Sequence, residues 1–300
     1  MTDAPPVLGL LLDVDGPIAS PISRSIAIPS IASDLVELAN GGVPIAFNTG
    51  RSDAFIRAEV LPQLIAAGLQ SNARVWAICE KGSVVARITP AGFGEIDVDE
   101  SLAVPAAYAD AIRDLVQTAY DDVVFFDETK RAMVSVEQRL DVSAEEFSTR
   151  RHAFDADAAA QLSAHRLGYE WGDTIVPDAS GAVPFRIDPT IISTDIESVK
   201  LGKDLGASKF LALLEAEGAV MPLAWRTLGD SRTDYAMADW LHEQGHDVVH
   251  VDVRPADGVP ETPYPVRHHS SLIHDDAGAL YLGAWVRMLR GEADDDSSLR

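Results

Sequence analysis

Residues 7–16 read Val-Leu-Gly-Leu-Leu-Leu-Asp-Val-Asp-Gly, and how this stretch is read decides the fold. An apolar run from Val7 to Leu12 stops at two carboxylates, Asp13 and Asp15, with Gly16 behind them. A short, continuous apolar run is the pattern of a strand buried on both faces, as in a parallel sheet. Open α/β sheets bind ligands outside the carboxyl ends of their strands. Two acids one residue apart at such an edge repel each other unless a cation or a proton lies between them. Asp13 and Asp15 are therefore a candidate metal-and-nucleophile pair, although Asp-x-Asp-Gly alone also describes an ordinary acidic turn.

Three later segments extend the pattern. Residues 43–52, Val-Pro-Ile-Ala-Phe-Asn-Thr-Gly-Arg-Ser, form a second apolar strand, ending at Thr49, Gly50 and Arg51. Residues 223–234, Leu-Ala-Trp-Arg-Thr-Leu-Gly-Asp-Ser-Arg-Thr-Asp, form another, ending at Asp230 and Asp234. Between them, Lys200, Lys203 and Lys209 mark the opening of a helix. Strand-end acids, a strand-end threonine, a lysine and a second acid pair, in that order, resemble the haloacid dehalogenase-like superfamily of aspartate-nucleophile phosphatases. The resemblance covers roughly residues 7–85 and 195–275. It is similar to the branch with a large inserted α/β cap, the type II cap of Cof-type and sucrose-phosphate phosphatases.

The spacing of apolar residues gives the same organisation. Helices are expected at Ser30–Asn40 and Ser52–Ala67, the latter capped by Ser52 and stopped by Gly68. Strands are expected at Pro44–Asn48, and at Arg74–Glu80 and Ser83–Ile88 around a Lys81-Gly82 hairpin. This β-α-β-α order predicts a doubly wound parallel sheet. Residues 89–195 carry an independent pattern: helices at Ala103–Tyr120 and Ser143–Leu167, and strands at Val123–Phe126, Ala132–Glu137 and Ile187–Ile196. The expected division is a Rossmann-like α/β core, residues 1–88 and 196–300, interrupted by an α+β cap, residues 89–195. The core resumes with a helix at Asp204–Glu217, a strand at Pro222–Leu228, a helix at Asp234–Gln244, a strand at Asp247–Val253 and a helical Ser271–Leu289. Asp294–Arg300 reads as a frayed acidic tail.

Composition narrows the function classes. With 300 residues and 47% hydrophobic content the chain can bury a sizeable core. A net charge of −23 disfavours nucleic-acid and anionic-membrane partners, and obliges any anionic substrate to be met by a local cation. No apolar run reaches the ~18 residues of a transmembrane helix, and the first residues lack a secretory pattern. The lone Cys79, among Trp76, Ala77 and Ile78, reads as a buried thiol suited to a reducing cytoplasm.

The resemblance implies the following roles. Asp13 is nucleophile and metal ligand. Asp15 is general acid and base, and its backbone carbonyl binds the metal. Thr49 donates to a phosphoryl oxygen and the Gly50 N–H adds a second bond. Gly16 permits the tight turn, and Arg51 either positions phosphate or forms an ion pair. Asp230 binds the metal, and Asp234 holds the lysine or a metal-bound water. All-oxygen ligation by Asp13, Asp15, Asp230 and Asp234 suits octahedral Mg²⁺ better than zinc. For the lysine, apolar residues follow Lys203 at Ala207, Phe210, Leu211 and Leu214, which starts a helical face at Lys203 and favours it. Lys209, after a serine, is second and Lys200 third. Pro17 departs from the family, which has a threonine there.

Histidines 242, 246, 250, 268 and 269 do not make a zinc signature, and no Gly-x-x-x-x-Gly-Lys or Gly-x-Gly-x-x-Gly loop is present. The expected activity is Mg²⁺-dependent hydrolysis of a small phosphorylated metabolite, a sugar phosphate first, through an aspartyl-phosphate. A sugar phosphomutase and a receiver-like phosphate acceptor are the alternatives. In the inserted segment, Arg166, Tyr169, Trp171 and Arg186 are candidate specificity contacts, with packing the stronger expectation for the aromatics.

Overall fold

The computed structural model describes residues 6–292; the expected acidic tail lies outside them. In chain order the elements are β1 (Leu8–Leu12), α1 (Pro29–Asn40), β2 (Ile45–Asn48), α2 (Asp53–Phe55), α3 (Leu61–Ala66), β3 (Val75–Cys79), β4 (Val84–Thr89) and β5 (Gly92–Val98). Then come α4 (Ala106–Leu115), β6 (Val124–Phe126), β7 (Val134–Gln138), α5 (Ala144–Ala164), β8 (Tyr169–Trp171), β9 (Thr174–Val176), β10 (Phe185–Pro189) and β11 (Ser193–Ser198). The chain finishes with α6 (Lys203–Ala216), β12 (Ala224–Gly229), α7 (Tyr235–Glu243), β13 (Val248–Asp252), β14 (Val266–Arg267) and α8 (His274–Leu289).

The chain divides into two units, one up to Asp97 and from Gly202 onward, the other Val98–Leu201. The first unit is built on a sheet of order β14-β13-β12-β1-β2-β3-β4-β5. From β14 to β3 every neighbouring pair is parallel, and β4 turns back antiparallel to β3. All five residues of β1 are buried, which accounts for its unbroken apolar run. On one face α6 and α7 bury Phe210, Leu214, Met237 and Leu241 against Leu11 and Trp225 of the sheet. α1 and α8 pack against each other elsewhere in this unit. The order reverses at β1, which pairs with β2 on one side and β12 on the other. That makes the carboxyl ends of β1 and β12 the topological switch point, where doubly wound sheets place their ligands.

The expected helix over 52–67 forms with a π turn at Ile56–Val60 inside it. Pro62 is the cause: it has no N–H for the α ladder, and the Leu61 N–H reaches back to the Ile56 carbonyl. Ser52 caps the helix through its side chain, accepting from the Phe55 N–H.

The second unit is a sheet of order β6-β7-β11-β10-β8-β9, with α4 and α5 burying Tyr108, Ile112, Phe147, Phe154 and Leu162. Here the expectation of one strand over Ile187–Ile196 is corrected. The segment is an antiparallel hairpin, β10 and β11. Thr190, Ile191 and Ile192 make the turn, the Thr190 side chain accepting from the Ile192 and Ser193 N–H groups. Ile191 is apolar but 80% exposed at the tip, which is why hydrophobicity alone reads straight through it. The short β8–β9 hairpin, with Gly172 at φ +54° in its turn, and the strands β5 and β14 were also missed.

The unit boundaries also differ from the expected 88/89 and 195/196. β5 alternates in polarity and extends the first sheet beyond β4, whereas β11 is fully committed to the second sheet through β7 and β10. Among the described residues no helix is long and apolar enough to cross a membrane.

α8 approaches the loop after β1 so closely that a Cβ on Gly278 would stand 1.9 Å from the Pro17 carbonyl oxygen. Gly278→Ala should therefore cost about 1–3 kcal/mol, read as a lower urea midpoint with an unchanged m value.

Candidate active site

Three strand ends and one helix start meet at the switch point. β1 delivers Asp13, a buried residue whose N–H donates to the Leu228 carbonyl of β12 (2.8 Å). β2 ends at Asn48 and Thr49, β12 ends at Asp230, and α6 begins at Lys203.

Lys203 organises the group. Its Nζ lies 2.6 Å from Asp13 Oδ1, 2.6 Å from Asp234 Oδ1 and 2.8 Å from the Asn48 carbonyl oxygen. The Asn48 side chain in turn donates to the Lys203 carbonyl (2.8 Å), locking the first residue of α6 to the end of β2. This fit needs Gly206, since a Cβ there would stand 2.1 Å from Asn48 Oδ1. Of the three lysines weighed from sequence, Lys203 is the one at the carboxylates; Lys209 lies further along α6 and Lys200 is exposed in the second unit.

The charges set each other's protonation. Burial alone would strip the proton from Lys203, but the Asp13 and Asp234 carboxylates outweigh it and raise its pKa. Asp13 is pushed well above the usual carboxylate range by burial and by Asp234, with Lys203 opposing. Asp234 goes the other way: burial would raise it, yet Lys203 and the Ser231 hydroxyl hold it low.

Asp234 also closes the loop after β12. Its Oδ2 accepts from the N–H groups of Asp230 (3.1 Å) and Ser231 (2.9 Å) and from the Ser231 hydroxyl (2.8 Å). With Oδ1 on Lys203, both oxygens are engaged in holding the lysine and the loop. The carboxylates of Asp13, Asp230 and Asp234 nonetheless offer oxygens within 4.8 Å of one another, a grouping able to hold a metal ion. Gly16 lies against Asp230: a Cβ would meet Asp230 Oδ2 at 2.8 Å, and its φ of +95° favours glycine.

Asp15 stands apart from that grouping. Arg51 grips it with two bonds, Nε to Oδ2 and Nη2 to Oδ1, each 2.9 Å. The guanidinium lies 4.7 Å from the centroid of the Phe55 ring, a cation–π contact. Thr49 is fully buried, and its Oγ1 accepts from the Arg51 N–H (3.1 Å), leaving Gly50 between the two. The loop carrying Pro17 closes with the Gly16 N–H on the Ala19 carbonyl and the Ile18 and Ala19 N–H groups on the Val14 carbonyl. None of these bonds calls on an N–H at position 17, so proline is accommodated.

Sequence reasoning missed two neighbours of Asp230. Arg254 Nη1 lies 3.8 Å and His274 Nδ1 3.7 Å from its Oδ2. Burial and Asp234 push the Asp230 carboxyl up to about 6, while Arg254 and His274 pull against them. Arg254 was findable, being a cation just past the end of β13; His274 starts α8, 44 residues from Asp230, and had no local signal. Beneath them His250 is buried, pushed down to about 4 by desolvation, with Nδ1 2.7 Å from Thr227 Oγ1. In the second unit, Tyr169 and Trp171 pack on the helix-covered apolar side. Arg186 pairs with buried Glu197 (2.6 Å) and the Leu201 carbonyl. Arg166 follows α5 with φ +60°.

Removing the ammonium leaves two buried carboxylates facing each other. In EDTA at pH 7, Lys203→Met should lose about 3–5 kcal/mol of stability. Carboxyls raised in the folded state bind more protons folded than unfolded. The deficit should therefore shrink as pH is lowered toward the ordinary carboxylate range of about 4, as denaturation at a series of pH values would show.

No protein-family model matches the chain, and no curated protein matches it. Solved structures do. The C-terminal domain of Candida albicans trehalose-6-phosphate phosphatase superposes with a TM-score of 0.63 at 14% identity, over 94% of this chain and 93% of that one. A haloacid dehalogenase-like hydrolase from Bacteroides thetaiotaomicron gives a TM-score of 0.57 at 11% identity, over 92% and 98%. A Thermoplasma acidophilum protein gives 0.54 at 12%, over 94% and 99%. The switch-point geometry and these likenesses agree on architecture: the chain has the fold of the haloacid dehalogenase-like hydrolases, a parallel α/β core interrupted by an α+β unit.

Proposed function

We propose that the chain is a Mg²⁺-dependent phosphatase that hydrolyses a small phosphorylated metabolite through an aspartyl-phosphate on Asp13. The observation that carries this reading is the buried Asp13–Lys203–Asp234 cluster beside Asp230, at the carboxyl edge where β1 and β12 diverge. The donor set fits the ion: it is carboxylate oxygen throughout, without sulfur or imidazole, which suits Mg²⁺. Asp13 and Asp230 would hold it, with the Asp15 carbonyl. Asp234, engaged with Lys203 and its own loop, supports them. When bound, the ion neutralises charge on the phosphoryl oxygens and lets an anionic nucleophile meet an anionic ester.

The chain's own groups supply the rest. An Asp13 oxygen attacks phosphorus, and the bond to the ester oxygen breaks. Asp15 gives that oxygen a proton, so the alcohol leaves neutral. Water then attacks phosphorus, Asp15 takes its proton, and the P–O bond to Asp13 breaks, releasing phosphate and restoring both carboxyls. Thr49 and the Gly50 N–H donate to phosphoryl oxygens, and Lys203 holds positive charge beside them. The two Arg51 bonds fix the orientation of the Asp15 carboxyl.

Because the Candida neighbour is a trehalose-6-phosphate phosphatase, sugar phosphates are the first substrates to offer, beside p-nitrophenyl phosphate. Phosphate release should require Mg²⁺ and stop with EDTA. Asp13→Asn should lower kcat by about 10⁴-fold or more, and Asp15→Asn by about 10²–10⁴-fold. Release that persists in Asp13→Asn at the wild-type rate would sink the nucleophile assignment. Isomerisation without net release would replace hydrolysis with a mutase.

A further inference from the structure

The tip of the β3–β4 hairpin is built in a conformation its residues disfavour. Glu80 has φ +48°, Lys81 φ +55° and ψ +33°, and Gly82 φ +105°, three consecutive residues in the left-handed region. Only the glycine is suited to it; side chains such as lysine's are disfavoured there, and asparagine is the usual non-glycine occupant. Neighbouring elements impose the shape. The Glu80 N–H donates to the Arg51 carbonyl (3.0 Å), the Lys81 N–H to the Thr49 carbonyl (3.0 Å), and the Gly202 N–H to the Lys81 carbonyl (3.0 Å). Gly82 packs against the first turn of α6, where a Cβ would meet Leu205 Cγ at 2.9 Å. One residue therefore bridges the loop that carries Thr49 and the helix start that carries Lys203.

That explains the conformation but not the lysine in it. Glycine or asparagine would make the same backbone bonds at lower cost. The side chain also lies against the Thr49–Gly50 turn. It runs along Gly50, its Cε 3.8 Å and Cγ 3.9 Å from where a Gly50 Cβ would stand. Its ammonium, one bond beyond Cε, is therefore carried beside the Thr49–Gly50 turn. In a chain of net charge −23, positive charge at that place has a use for an anionic ligand. Strained residues persist where the surroundings fix them, and they cluster where a side chain is needed in one position.

We infer that Lys81 is a second phosphate-binding cation, held in a strained backbone so that its ammonium meets the phosphoryl group from the Gly50 side. The inference rests on the phosphatase reading of the site. It names Lys81 as setting affinity for the phosphoryl group, with no part in bond making.

The test uses three variants. Lys81→Asn keeps a residue that tolerates the left-handed conformation and removes the charge, Lys81→Gly also relieves the strain, and Lys81→Arg keeps the charge. Inorganic phosphate with MgCl₂ is the probe, read as a phosphate-dependent rise in Tm, alongside KM and kcat for p-nitrophenyl phosphate. Lys81→Asn should weaken phosphate binding and raise KM by about tenfold, with kcat within about twofold. Lys81→Gly should do the same while raising the ligand-free Tm, and Lys81→Arg should restore most of the affinity. If Lys81→Asn binds phosphate and turns over as the wild type does, the inference is overturned and the phosphatase reading stands. If the wild type neither binds phosphate nor releases it from any ester, both fall.

Discussion

An ammonium group buried at the meeting of two strand ends and a helix start is the constraint on which the other features of the site depend. Burying a charge is costly unless it is paired and hydrogen-bonded. Lys203 meets that condition with two carboxylates and a main-chain carbonyl. The requirement propagates. Asn48 must carry an amide to fix the helix start, Gly206 must lack a side chain so that Asn48 fits, and Gly229 must lack one because a Cβ there would stand 2.2 Å from Asp234 Cβ. Positions that look unrelated in sequence are thus bound to one cation.

Around that cation the charges are arranged unequally. Asp234 is the partner held low, Asp13 is held high, and Asp230 is raised to about 6 with Arg254 and His274 beside it. A carboxylate that is buried and raised is one whose negative charge is poorly compensated by the protein alone, which is the electrostatic setting a divalent cation would relieve. His250 below is desolvated to about 4 and contributes packing and a hydrogen bond to Thr227, without charge. The acidic surface and the local cations have separate jobs: the surplus of acids gives the chain its long-range field, and Lys203, Arg51 and Arg254 act only at short range, where screening and distance leave the surface charges weak.

The inserted unit follows a different rule. Its sheet is mostly antiparallel, and one face is closed by α4 and α5 over an apolar core. The alternate residues are polar: Ser135 donates to Asp195 and Arg186 pairs with Glu197, each pair linking neighbouring strands. An antiparallel sheet can have two such unlike faces, whereas the first unit's β1 is apolar throughout because helices and neighbouring strands leave it no face toward solvent.

The sequence by itself determined the central strands and helices of the first unit and which chemistry they can carry. Runs such as Val7–Leu12 and Pro44–Asn48 have only one low-energy use, as strands with both faces covered, and the residues just past their ends follow from chain continuity. Asp13, Thr49, Lys203, Asp230 and Asp234 were therefore legible as a candidate set, and the helical phase after Lys203 separated it from Lys209. Tertiary structure alone decided what is paired with what. The Arg51–Asp15 grip, the Asp230 contacts with Arg254 and His274, and the meeting of Lys81 with Gly50 join residues 24 to 44 positions apart, and the register of no single element encodes such meetings. The turn at Thr190–Ile192 was lost for a related reason: Ile191 and Ile192 have strand-like side chains, and the hydrogen bonds of Thr190 with Ile192 and Ser193 are what reverse the chain there. Local propensity is written residue by residue, whereas partner choice depends on distances that exist only after the chain has closed on itself.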